Sequence, residues 1–134
     1  WSWVLMPIAR GPFDVKMTPQ PADAREAVNF LGRFTIEKQF HGDLEAASAG
    51  QMLAARGSRP ESAGYVAIER VTGVLAGKSG SFILQHSGHS NPGGQSLAIN
   101  VVADSGTDAL VGLSGTMTIA IAPDGAHTYE FAYG

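Results

Sequence analysis

Cysteine is absent from all 134 residues, which excludes disulfides, thiol nucleophiles and thiolate metal ligands, although it does not fix the compartment. Charge is also sparse. Acidic and basic side chains make up 16% of the chain, the net charge is -3, and no block of like charges occurs, so neither a nucleic acid nor an anionic membrane surface is an expected partner. Long apolar runs are missing as well: the opening WSWVLMPIA is too short to cross a bilayer and has neither a basic leader nor a signal-peptide layout, so no membrane partner is expected and a cytoplasmic location is. Residues 1–10 read as an N-terminal extension and 11–134 as one domain, long enough for a real core. Helix-forming stretches are scarce, and only Ala22 to Phe30, with Asp23 as a cap, predicts a turn or two of helix.

What the chain has in quantity is glycine, 17 residues, and short alternating segments. Ile8 to Thr18 sets Phe13, Val15 and Met17 against Asp14, Lys16 and Thr18 before Pro19 and Pro21 stop it. Arg33 to His41 sets Phe34, Ile36, Lys38 and Phe40 against Thr35, Glu37, Gln39 and His41, and Leu44 to Arg56 follows as a strand of small residues broken by Gly50. Farther on, Ser96 to Ala103 is nearly all apolar, Leu110 to Ala122 alternates through Met117, Ile119 and Ile121, and Ala126 to Tyr133 places Tyr129, Phe131 and Tyr133 on one face. Pro123-Asp124-Gly125 marks the last turn.

The most informative stretch is Gly64 to His89. Its two halves alternate with the period of a strand, and Ala76-Gly77 suits a two-residue turn that pairs Leu75 with Lys78. That register sets Val71 opposite Phe82, Glu69 opposite Leu84 and Ala67 opposite His86, with Glu69 and His86 diagonal on one face and Tyr65 on the same face. A slip of one residue would separate them. Arg70 and Gln85 become the polar pair if the other face points inward.

Eight strands at near-regular spacing favour an antiparallel meander, and the glycines favour curling that meander into a closed eight-stranded barrel; a two-sheet sandwich is the competing architecture.

The strings FDVKMTPQP, KQFHGDLEA, GYVAIERVTG, GKSGSFILQHSG and DSGTDALVGLSGTMTI resemble an uncharacterised bacterial family of small proteins, a domain of unknown function whose fold is similar to the allene oxide cyclase barrel. The resemblance runs from about Gly11 to the C-terminus and implies a calycin-like barrel. In the wider superfamily such barrels hold unstable hydrophobic molecules in the lumen. No residue-by-residue match to the cyclase site is present, so Glu69 is singled out by its environment.

A carboxylate on an apolar wall has a raised pKa unless it is paired, and an imidazole beside it gives the pair two protonation states in the useful range. Glu69, His86 and Tyr65 are therefore the candidate catalytic residues of a cofactor-independent isomerase, cyclase or lyase, with Tyr65 donating to a developing oxyanion or holding a carbonyl. The same residues are also readable as an ion pair or hydrogen bond bracing the barrel wall, or as a face that points outward. The leading functional expectation is a barrel that binds a small apolar molecule, lined by Ala67, Val71, Phe82 and Leu84.

No cofactor is implied. His86 and His89 straddle a glycine with no carboxylate or cysteine following, a poor ligand set, so no metal is expected. Asp104 to Thr107 is turn chemistry, Gly93-Gly94 precedes a strand, and no Gly-x-Ser-x-Gly elbow exists, which excludes the usual serine hydrolase and phosphate-loop signatures. Glu37, Gln39, His41 and Glu45 form a second polar row expected to face solvent. A homo-oligomer is expected, because Leu97 to Ala103 and Met117 to Ile121 look more apolar than a solvated outer wall requires.

Overall fold

A computed structural model describes residues 6–134. Eight antiparallel strands close into one barrel in simple chain order. They are β1 (Ile8–Pro19), β2 (Gly32–Phe40), β3 (Leu44–Arg56), β4 (Ala63–Leu75), β5 (Lys78–Asn91), β6 (Gly94–Val101), β7 (Gly115–Ile121) and β8 (His127–Tyr133). The predicted helix at 22–30 is reduced to one 3-10 turn, Glu26–Val28, with no buried residue to give it a packed face.

The β4–β5 hairpin has the predicted register: Leu75 pairs with Lys78, Val71 with Phe82, Glu69 with Leu84 and Ala67 with His86. Ala76 and Gly77 both take positive φ (48° and 83°), the geometry that matches the right-handed twist of the two strands. Burial alternates along both strands, and the row holding Glu69 and His86 points inward while Arg70 and Gln85 are exposed.

Closure depends on β1, which changes partner midway. Ile8 to Phe13 pair with β8, and Phe13 to Pro19 pair with β2. Residues 8–10, expected in the extension, thus belong to the barrel: they pair with β8, and Ala9 is buried opposite Phe131. The part of that extension over residues 1–5 lies outside the described residues. Tyr129 ties the closure together, its hydroxyl donating to the His41 carbonyl at 2.7 Å and accepting from the Leu44 amide at 2.9 Å.

Gly50 does not break β3, which runs unbroken from Leu44 to Arg56. A Cβ there would lie 2.0 Å from the Ile68 carbonyl oxygen and 2.6 Å from the Glu69 Cα, so only glycine allows the two backbones to coil this closely. The packed core fills one end of the lumen. Phe13, Phe40, Phe82, Phe131 and Tyr129 interlock there, with Phe82 and Phe131 stacked at 5.6 Å.

The connection from β6 to β7 helps seal that end. Val102 donates to the Ile83 carbonyl, Thr107 bonds Ser81, and Leu110 and Leu113 are buried in the core cluster. Because this segment occupies the first part of β5's free side, β6 pairs with β5 only from Leu84 onward. β6 and β7 then meet through two residue pairs alone, Ile99 with Met117 and Asn100 with Thr116. Beyond them toward the other end of the barrel the two strands part.

Candidate functional site

Four consecutive strands contribute a polar band to the apolar interior: Lys38 from β2, Ser48 from β3, Glu69 from β4 and His86 from β5, all buried. Small side chains on β3 make the band possible. Lys38 pairs with Ser48, and Glu69 pairs with Gly50, so the lysine stem crosses β3 over Ser48 to reach the carboxylate. Its ammonium lies 2.8 Å from Glu69 Oε2, and 5.4 Å and 5.9 Å from the ring centres of Phe13 and Phe40.

His86 Nε2 bonds the same oxygen at 2.5 Å. Burial works to raise the pKa of Glu69, but the His86 hydrogen bond and the Lys38 charge and hydrogen bond outweigh it and hold the carboxyl down to about 2. The carboxylate is thus the paired case, in which burial does not raise the pKa, and Lys38 is a partner beyond the expected His86. An ionised carboxylate only accepts hydrogen bonds, so His86 Nε2 carries the proton between them. Among the described residues, Glu69 Oε1 and Ser48 Oγ are buried without a hydrogen-bond partner.

Tyr65 is two inward positions farther along β4 and does not join this cluster. Burial, and secondarily the negative charge of Glu69, raise its pKa. Its ring lies over Gly88, its paired residue on β5. Of the expected ligand-lining residues, Phe82, Leu84 and Val71 are packed in the core with 1% exposure or less, and Ala67 is buried beside them. None of the four lines the open end of the barrel.

That open end is where the parted strands β6 and β7 leave a cavity of about 650 Å³, lined by Ala63, Tyr65, His89, Ser90, Gln95, Ser96, Leu97, Ile119 and Ile121. Leu97 and Ile121 are 40% and 64% exposed although they continue the inward rows of Ile99 and Met117. Leu97, Ile99, Met117, Ile119 and Ile121 thus lie on the inward rows, and the only apolar residues of β6 and β7 on the outer rows are the alanines Ala98 and Ala120. This corrects the reading of Leu97 to Ala103 and Met117 to Ile121 as an outer assembly face. The signal that reveals them is the parity that puts Leu97 with Ile99 and Ile119 with Met117. Lys38 was equally visible as the one charge in the row Phe34, Ile36, Lys38, Phe40.

On the outer wall, Leu53, Val66 and Ile68 form an exposed apolar strip across β3 and β4. His86 and His89 point to opposite faces of β5, so they cannot share a ligand. The second polar row is exposed as expected, with His41 3.4 Å from Glu45. No helix among the described residues is long and apolar enough to cross a membrane.

A family model described as "Protein of unknown function (DUF3224)" matches residues 9–133. A crystal structure of a member of that family from Shewanella oneidensis MR-1, also of unknown function, is 46% identical, with 96% of each chain covered and a TM-score of 0.88. No curated protein matches.

Proposed function

We propose a function, from its own geometry, for a chain that belongs to the DUF3224 family of unknown function: it binds a small, predominantly apolar molecule at the open mouth of its barrel. The observation that carries this reading is the parting of β6 and β7, which leaves inward-row residues Leu97, Ile119 and Ile121 around a cavity of about 650 Å³ while the far end is filled by aromatic side chains. Cavities of this size and mixed apolar lining suit small ligands. Kinship with the allene oxide cyclase barrel and other calycin-like folds, implied by the sequence, is part of the proposal and agrees with a lumen that receives an apolar guest.

Catalysis by Glu69 and His86 has less support. A general acid or base works best with a pKa near the operating pH, and Glu69 at about 2 stays ionised throughout the neutral range. The Lys38–Glu69–His86 cluster is the floor beneath the mouth and braces β2, β4 and β5. Association into a homo-oligomer would use the strip Leu53, Val66 and Ile68, and sedimentation that gives a clean monomer would remove that part of the proposal.

The test is native mass spectrometry of protein purified from its own host, followed by denaturation and extraction. The expected result is an apolar compound released on denaturation. An empty protein that also fails to bind a hydrophobic dye saturably overturns the reading.

A further inference from the structure

We propose that the mouth selects neutral apolar molecules that carry a hydrogen-bond acceptor, such as a ketone or ester carbonyl, and that the Tyr65 hydroxyl is the donor that recognises it. The inference rests on the reading of the mouth as a binding site and adds the ligand's chemistry and the residue that reads it.

Charge is the first consideration. The cavity lining contains no Asp, Glu, Lys or Arg; its polar members are Tyr65, Ser90, Gln95, Ser96 and His89. An anionic ligand finds no fixed cation there, and the ionised Glu69 stands on the same inward row as Tyr65, four residues along β4. A cationic ligand finds no carboxylate on the lining, and the Glu69 charge is already engaged by Lys38. Neutral ligands fit this lining.

Position is the second. Tyr65 stands directly opposite Gly88, and the ring occupies the space a side chain would take: a Cβ at residue 88 would lie 2.0 Å from a ring carbon. The glycine thus gives the ring a flat seat and limits its rotation, so the hydroxyl is held at the cavity without help from a hydrogen bond. Among the described residues the hydroxyl has no protein hydrogen-bond partner, and the influences on it are burial and the Glu69 charge, both of which keep it protonated. A protonated phenol fixed in a half-buried wall has one strong donation to offer, and a carbonyl is a group that accepts without requiring an acceptor in return. Access is lateral, because the strands on the other side of the cavity, β6 and β7, have no ladder between them at that level.

The test titrates the full chain and its Tyr65→Phe variant with acetophenone, its near-isostere isopropylbenzene, and benzoate, read by calorimetry and by amide shifts in NMR. Phenylalanine keeps the ring on Gly88, so the fold is retained. The expected result is saturable acetophenone binding with shifts at Leu97, Ile119 and Ile121, weakened about fivefold by Tyr65→Phe as the loss of one hydrogen bond requires. Isopropylbenzene should bind both proteins alike, and benzoate should bind the wild type more weakly than acetophenone. Equal weakening of both neutral probes, no weakening of either, or tighter binding of benzoate overturns the proposal while the mouth remains a binding site. Failure of all three probes to bind the wild type overturns the binding reading and this inference with it.

Discussion

Lys38 and His86 bond the same oxygen of Glu69, Oε2, from strands on either side of it, and the other oxygen, Oε1, has no hydrogen-bond partner among the described residues. One carboxylate thus holds β2, β4 and β5 together in the middle of an apolar lumen.

Removing one member should be severe. Lys38→Met leaves the Glu69 charge with the imidazole alone, and the expected loss is about 3–5 kcal/mol in urea denaturation, the range for a buried pair broken from one side. Lys38→Met combined with Glu69→Leu should recover much of that loss, because no uncompensated charge remains. A double variant as unstable as the single one would show that the band's shape matters more than its charge.

The same carboxylate sets an acid limit. Folded Glu69 titrates at about 2 against an ordinary value of 4.5, so between those values the unfolded chain binds a proton that the folded one refuses. Its contribution is present above pH 4.5 and is lost as the pH falls toward 2, and the difference corresponds to about 3 kcal/mol. Glu69→Gln should flatten the stability profile across this window, and a profile as steep as that of the wild type would assign the acid sensitivity to other groups.

Gly50 is the position on β3 where a methyl group should do most harm. With 2.0 Å to the Ile68 oxygen, Gly50→Ala must push β3 from β4 beside Glu69. The expected result is a loss of about 1–3 kcal/mol, the usual range for overpacking, with faster amide exchange in both strands. A neutral substitution would mean that the coil relaxes without strain.

Blocking the mouth should separate binding from stability. Leu97→Trp places a large ring in an exposed part of the cavity and should abolish dye or probe binding with little change in the denaturation midpoint. Phe82→Trp, in the packed end, should instead cost about 1–3 kcal/mol and leave the mouth open. Binding that survives Leu97→Trp and is lost in Phe82→Trp would relocate the site to the interior.

The register of the β4–β5 hairpin was legible because Ala76-Gly77 permits few alternatives, and that register brought Glu69 and His86 together. Lys38 stood in an apolar row, but its meeting with Glu69 depends on the side chain passing over Ser48, a relation between strands that no local pattern encodes. Leu97 and Ile119 were read as an outer face because the alternation does not say which side of a strand is the lumen. They line the cavity because β6 and β7 pair only at Ile99–Met117 and Asn100–Thr116, a relation between two strands that neither strand's own alternation encodes. The helical pattern at 22–30 had no apolar partner, so a single turn is what remained.

The first and last strands of the barrel, β1 and β8, are joined by six residue pairs among the described residues, whereas β6 and β7, neighbours in sequence, share two. In the arithmetic of its ladders the molecule is a sheet whose free margins lie inside the chain, and whose ends are its stitched seam. Separating β6 from β7 would therefore break fewer rungs than separating β1 from β8. The order of genetic reading and the order of mechanical continuity start at different strands.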